Sequence, residues 1–430
     1  MSVSLSIGVF VVVSISCGQS EVEPSAAVRV EATSDDRASS TGSAPPKRIP
    51  GASRMASGLS GISNIVGSGE DNSHNAAAKA CDANPADADG VLALASRHYR
   101  EGEFAKASAC ARLATDLVPQ AVEAQHLHAA ALSALGRHAE AQVAFSMALL
   151  LDPDDPETLA DIADFYINIL TPKRRQTVML GLEYARRGGQ GALARRRSDN
   201  SLRGRLLLLE AEALSDLNRP DVALPRVSEA ILLSPELNGA TLEYALVLFR
   251  LLRFDESESA LLNVLSEFPG SARAHHHLGL IYERKGRESD AEAHFLRARR
   301  LNPKEFFPPI SLNEEEFAAE VQRAIADLPA PLRSLLKKTK LQTIALPKRD
   351  DLEASSPPFS PTILGLFRGL PLGVESSEPT ARVVLLYRKN IARAASTRAE
   401  LNRQIRKTLR HEIGHLEGYD EDELRRLGLE

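Results

Sequence analysis

The stretch Arg410-HEIGHLEGYDEDELRRLGL-Glu430 decides the reading of the C-terminal region, and His411-Glu412-Ile413-Gly414-His415 is its kernel. Two imidazoles four residues apart on a helix lie one turn above each other on one face, close enough to share a metal ion. Zinc in such a place lowers the pKa of a water towards neutrality, and Glu412, beside the first imidazole, is placed to take its proton as it attacks a carbonyl. The helix is well specified. Thr397-Arg398-Ala399-Glu400 reads as a capping box that starts it. Ile405, Leu409, Ile413 and Leu416 form one apolar stripe, with Arg403, Arg406, Lys407, Arg410 and Glu417 opposite. His411 and His415 share a third sector with Thr408, where they are expected to face the edge of a cleft. Gly418 supplies the stop, because glycine enters the left-handed region freely.

A third ligand is constrained by how little chain follows His415, only fifteen residues. The candidates are Glu417, Asp420, Glu421, Asp422, Glu423 and the C-terminus. In the pattern HExxHxxGxxH the third ligand comes ten residues after the first His, beyond a glycine turn. That position is Glu421, and Gly418 sits where the pattern requires the turn. No Met follows Met179, so a Met-turn is absent. The competing reading is a capped amphipathic helix with solvent-facing histidines and an acidic tail.

Residues 314–430 resemble the small predicted zinc-dependent proteases with a minimal zincin domain. The matching pieces are Glu314–Pro329 (EEEFAAEVQRAIADLP), Ile363–Gly373 (ILGLFRGLPLG), Val383–Ile391 (VVLLYRKNI) and His411–Gly428, in the family's order. The family pattern, HExxHxxGxxD, implies metal ligands at His411, His415 and position 421, with Glu412 as general base and zinc as cofactor. Here Glu421 replaces the Asp, with Asp420 or Asp422 as alternative third ligands. Leu341–Leu346, Ile363–Phe367 and Val383–Tyr387 are short apolar or β-branched runs, and read as strands. By the resemblance, either Val383–Tyr387 or Ile363–Phe367 is the edge strand that pairs with a peptide substrate.

Working back from this domain, Phe306-Phe307-Pro308-Pro309 breaks helix and marks a boundary. Before it the chain repeats at a period of 34 residues. Gly102, Ala107, Ala114 and Pro119 recur as Gly136, Ala141, Ala148 and Pro153. Ala211, Ala223, Ala230 and Pro235 are followed by Ala245 and Pro269, then by Gly279, Gly286, Ala291, Ala298 and Pro303. Small residues stand where two antiparallel helices touch, and Pro where the second must stop. This resembles tetratricopeptide repeats (TPR), which implies a helical solenoid over residues 86–305 whose concave groove takes a protein or peptide partner. The third unit carries an insertion, with loops expected at Pro172–Arg175 and Gly188–Ser201. His275, His276 and His277 point in different directions on one helix and cannot share an ion, so they are assigned to packing and the groove wall. The fold class is therefore multidomain: an all-α TPR solenoid followed by a small α+β zincin-like domain at 311–430.

Residues 1–17 have a short apolar core, Ile7–Val13, and read as a signal peptide. Ser14-Ile15-Ser16-Cys17-Gly18 resembles a lipobox, which would lipidate Cys17 and place the protein in the bacterial cell envelope. If the segment is not a signal peptide, the protein is cytoplasmic. Residues 18–85, rich in Ser, Ala, Gly and Pro, read as a flexible tether. Of the three cysteines, Cys81 and Cys110 can pair in an oxidising compartment, but Cys110 sits mid-helix among alanines and reads as a plain buried thiol. A net charge of −5, without a basic patch or aromatic platform, gives no support to nucleic-acid binding. Two functions follow: a zinc metallopeptidase with a partner-recruiting array and a peptide substrate at its cleft, or a TPR scaffold whose zincin domain binds metal or peptide without catalysis.

Overall fold

A computed structural model describes residue 81 and residues 87–194, 199–374 and 381–429. The expected signal peptide, the lipobox at Cys17, nearly all of the tether and the run Arg195–Arg197 lie outside the described residues. The chain divides into two compact units, one ending at Pro153 and the other beginning at Asp154.

The first unit contains two helical hairpins: α1 (Ala88–Arg100) with α2 (Phe104–Leu117), and α3 (Val122–Ala134) with α4 (His138–Leu151). Fully buried Ala107, Ala114, Ala141 and Ala148 bring the paired helices close. Cys81 and Cys110 are joined by a disulfide, Cα–Cα 5.0 Å, against the expected free thiol. The reason is spatial: both cysteines are fully buried in the cluster of Val91, Ala95 and Leu113, and a lone position in sequence carries no sign of that meeting.

The second unit opens with α5 (Pro156–Asp164), which runs into a single π-helical turn, Phe165–Ile169, and pairs with α6 (Arg175–Ala194). Three more hairpin partners follow in sequence: α7 (Asn200–Asp216) with α8 (Pro220–Leu233), α9 (Ala240–Arg250) with α10 (Phe254–Glu267), and α11 (Ala272–Arg284) with α12 (Glu288–Leu301). The loop expected from Gly188 is instead the last two turns of α6. Gly188 and Gly191 serve close packing: a Cβ on Gly188 would lie 2.7 Å from Leu206, and one on Gly191 2.9 Å from the Asp154 carbonyl oxygen.

The turns of five of the six hairpins, all but that between α5 and α6, share one backbone feature. Gly102, Gly136, Asn218, Leu252 and Gly286 all hold positive φ, at 77°, 75°, 60°, 61° and 71°. Leucine in this region costs on the order of 1 kcal/mol, so something must hold Leu252 there. What holds it is the C-terminal domain.

That domain comprises α13 (Glu314–Ala326), α14 (Ala330–Leu336), β1 (Lys340–Ile344), α15 (Arg349–Leu352), β2 (Gly365–Arg368), β3 (Val383–Tyr387), α16 (Arg388–Arg393), α17 (Arg398–Glu417) and α18 (Glu421–Arg426). Strand order is β1-β3-β2, with β1 parallel and β2 antiparallel to β3. Val383–Tyr387 is thus the central strand, paired on both edges, and is excluded as the substrate-pairing edge. Ile363–Phe367 overlaps β2, which stands at the edge nearest α17.

Period-two alternation divides the sheet between two cores. Phe367, Val384 and Leu386 pack on Phe317 of α13 and on Leu401, Ile405, Leu409 and Ile413 of α17. Leu366, Leu385 and Tyr387 face the other way, onto Leu352, Phe359 and Leu252 of the repeats. Arg284 of α11 adds polar ties, donating to the Pro347 and Pro361 carbonyls. The last hairpins and the zincin-like domain therefore share an interior.

Leu252, 4% exposed, is the test of that shared core. Leu252→Ala should lower stability by about 2 to 4 kcal/mol in the full chain, read from denaturant midpoints at constant m, because the cavity term outweighs any backbone relief.

Candidate metal centre

Helix α17 begins at Thr397, whose hydroxyl accepts from the Glu400 amide, while the Glu400 carboxylate accepts from the amide and hydroxyl of Ser396. The expected stripe is fully buried in the domain core. The helix stops at Gly418, φ 100°, in the left-handed region. The chain then reverses, and Asp420 and Glu423 form a reciprocal capping box that starts α18.

This reversal carries Glu421 back over His411 and His415. Glu421 Oε1 lies 3.7 Å from His415 Nε2 and 4.0 Å from His411 Nε2. The two Nε2 atoms are 2.9 Å apart. Asp420 is spent on its cap and Asp422 pairs with Arg425, so neither alternative acid reaches the histidines in this arrangement. The helix does not present its histidines at an open cleft edge. His411, Glu412 and His415 are 0%, 1% and 0% exposed, because α18 and the residues after it fold over them.

The outer nitrogens fix the tautomers. His411 Nδ1 lies 2.8 Å from the Leu429 carbonyl oxygen, and His415 Nδ1 lies 2.9 Å from that of Tyr419. A carbonyl can only accept, so each Nδ1 carries the hydrogen and each Nε2 of a neutral ring presents a lone pair. Two lone pairs and a carboxylate oxygen then converge on one point. Burial, followed by His415, holds His411 down to about 3, so it stays neutral. Burial also presses His415 towards neutrality, but Glu421, Glu412 and the Tyr419 carbonyl together outweigh it and leave its pKa raised. Burial lifts Glu412 to about 8, opposed by His415 and reinforced by Glu421.

Glu421 Oε1 and Glu412 Oε2 are inaccessible to solvent and have no hydrogen-bond partner. Buried acceptors without donors are costly, and a cation relieves several at once. Two imidazole nitrogens and one carboxylate oxygen suit zinc in character and number, with a fourth position left for water or substrate. His411, His415 and Glu421 could therefore hold it.

Comparison with known proteins finds two kinds of domain in the chain. Residues 336–429 match the zincin-like metallopeptidase family, and residues 245–306 match the tetratricopeptide repeat. This chain joins TPR repeats to a zincin-like metallopeptidase domain. Among solved structures, that from the functional characterisation of Pseudomonas aeruginosa pilF is similar at 17% identity over 54% of this chain and 97% of its own, TM-score 0.43. PilW, a widely conserved type IV pilus biogenesis factor, is similar at 16% identity over 54% of this chain and 97% of its own, TM-score 0.43. YrrB, a TPR protein with an unusual peptide-binding site, is similar at 19% identity over 45% of this chain and 93% of its own, TM-score 0.35. No curated protein sequence matches the chain.

The TPR–zincin arrangement uses residues that the motif does not name. A Cβ on Gly365 of β2 would lie 2.6 Å from Thr408 and 2.7 Å from Glu412 Oε1, so glycine there lets the edge strand pass close to the Glu412 carboxylate. Leu429 and Tyr419 act through backbone carbonyls, which no side-chain pattern signals. Arg388 is tied to Glu314 and the Leu312 carbonyl, away from the histidines. His276 stacks on Phe306 and His277 meets Phe249 edge-on, as the packing assignment expects.

Gly414 sets how closely α18 can approach. A Cβ there would lie 2.2 Å from Leu424 Cδ2. Gly414→Ala should push α18 outward, cost about 1 to 3 kcal/mol of stability and weaken metal binding by displacing Glu421. Denaturation together with competitive zinc titration of the full chain checks both effects.

Proposed function

We propose that the protein is a zinc-dependent metallopeptidase that hydrolyses peptide bonds, with its repeat array recruiting a protein partner. The observation that carries this reading is the convergence of His411 Nε2, His415 Nε2 and Glu421 Oε1 beside the unpartnered carboxyl oxygen of Glu412. Zinc, when bound, supplies Lewis acidity towards water and a substrate carbonyl. The Leu429 and Tyr419 carbonyls orient the two rings, a role whose loss elsewhere weakens metal sites by 10- to 100-fold. Glu412, buried and with its pKa raised, takes a proton from the attacking water and returns it to the departing amine. The free edge of β2 receives the substrate as an added strand, with Gly365 keeping that strand close to Glu412.

Export to the bacterial envelope, with a lipid anchor at Cys17, belongs to the same proposal. Its support is the apolar segment Ile7–Val13 and the Cys81–Cys110 disulfide, a bond characteristic of oxidising compartments.

One observation favours a second reading, a scaffold without catalysis. The three HExxH side chains are buried to within 1% exposure, so substrate entry requires α18 or the segment after it to move. The deciding experiment measures metal content and cleavage of a fluorogenic peptide library by the full chain. Wild type should hold one zinc, and His411→Ala and Glu421→Ala should lose it. Glu412→Gln should retain zinc and lose cleavage by at least 100-fold. Wild-type protein without zinc sinks the metallopeptidase reading; zinc with cleavage indifferent to Glu412→Gln leaves the scaffold.

A further inference from the structure

A cavity of about 600 Å³ lies within the second unit, away from His411 and His415, between the inner helices of the repeats and residues 309–312, 362–364 and 388–394 of the zincin-like side. Its apolar wall includes Leu246, Leu280, Phe295 and Phe306. One end is polar. There Glu212 of α7 and Glu243 of α9 line the cavity together with Asn168, Ser215, Arg250 and Arg273.

Among the described residues, the two carboxylates at this end lack a direct ion-pair partner, although Arg250 and Arg273 line it too. Glu243 is 7% exposed, and its Oε1 is inaccessible and has no hydrogen-bond partner. Glu212 accepts from Asn168 Nδ2 at 2.8 Å, an amide and not a cation. Among the described residues, neither Glu212 nor Glu243 has an ion-pair partner within 4.0 Å. Arg250 spends one guanidinium nitrogen on the Ser215 carbonyl at 2.6 Å. Other acids in the same wall have a cation within ion-pair distance: Asp216 has Lys173, Glu283 has Arg393 and Lys389, and Glu292 has Arg299, although Glu283 Oε2 is itself unpartnered.

Asn168 reaches Glu212 because it lies in the π-helical turn Phe165–Ile169. An inserted residue of this kind re-aims the side chains around it and costs helix regularity, which proteins tend to accept at functional sites. Burial raises Glu212 to about 7, with Glu243 adding to the effect, and burial raises Glu243 as well. Asn168 and Arg273 oppose the rise at Glu212, and Ser215, Arg250 and Arg273 oppose it at Glu243, but burial outweighs them in both.

We infer that the Glu212–Glu243 end of this cavity receives the lysine or arginine side chain of an extended peptide, whose apolar neighbours rest on Leu246, Phe295 and Phe306. This rests on the reading that the repeats recruit a peptide partner, and gives that partner its chemistry. A cationic head with an apolar stem matches two carboxylates that lack a direct ion pair and open towards an aromatic wall. Such a peptide touches both the repeats and α16, the helix that leads through Ala394–Ser396 into α17.

The test is a positional-scanning library of fluorescent heptapeptides, incubated with the full chain and with the Glu212→Gln/Glu243→Gln variant. Wild type should select Lys or Arg at one position by about tenfold or more over Ala, and Nε-acetyllysine there should bind like Ala. The variant should lose that preference while keeping its helical circular dichroism. It should also melt at a higher temperature, because two buried ionisable carboxyls are replaced by neutral amides. Selection of acidic or purely apolar positions overturns the inference and spares peptide recruitment. Absence of any peptide binding overturns both. A lowered melting temperature with unchanged selectivity assigns the carboxylates to structure and also overturns it.

Discussion

Two imidazole lone pairs that face each other across 2.9 Å set the terms for the C-terminal domain. The opposition is imposed from outside the pair, since each ring is turned by a hydrogen bond from its far nitrogen to a backbone carbonyl. Those carbonyls belong to Tyr419, just past the helix stop, and to Leu429, beyond α18. The glycine stop, the capped reversal at Asp420, the seat of Leu424 under Gly414 and the final residues are thus parts of one device. It holds three electron-rich atoms together where only a cation can make them compatible.

Much of this was legible in sequence because its causes are local. A capped helix, a stripe of four apolar residues, a glycine stop and a fixed interval to Glu421 are all short-range signals. The strand runs were legible too, but their order was not. That Val383–Tyr387 is central follows from a parallel crossover and an antiparallel neighbour, and no run of five residues contains its partners. Gly188 and Gly191 illustrate a second limit. Glycine marks both turns and close helix contacts, and only Leu206 and the Asp154 carbonyl decide between them. The disulfide and the Leu429 carbonyl fail for the same reason, being meetings in space between residues 29 and 18 apart in the chain. The Tyr419 carbonyl is near His415 but belongs to the backbone, which no side-chain pattern marks.

Placing a sheet between its own helices and a foreign pair of repeats has energetic force. Each leucine or tyrosine fully buried on the repeat side is worth about 1.5 to 3 kcal/mol, and Leu366, Leu385 and Tyr387 all face that way. An interface of that kind resembles a core more than a contact between independent domains. The groove and the HExxH helix are walls of adjoining interiors, joined by α16 and by the Arg284 bonds to Pro347 and Pro361.

The strained leucine gives this arrangement a signature that can be followed through descent. At the four other hairpin turns with a left-handed position, that position is glycine or asparagine, the residues that occupy it with least penalty. Leu252 breaks that rule because its side chain has left the repeat and joined another hydrophobic core. When repeats duplicate or are shuffled between genes, a bulky residue at that turn has no reason to survive without the sheet that shelters it. Its presence or reversion to glycine in kindred sequences therefore records whether the array and its C-terminal companion have been inherited as one body.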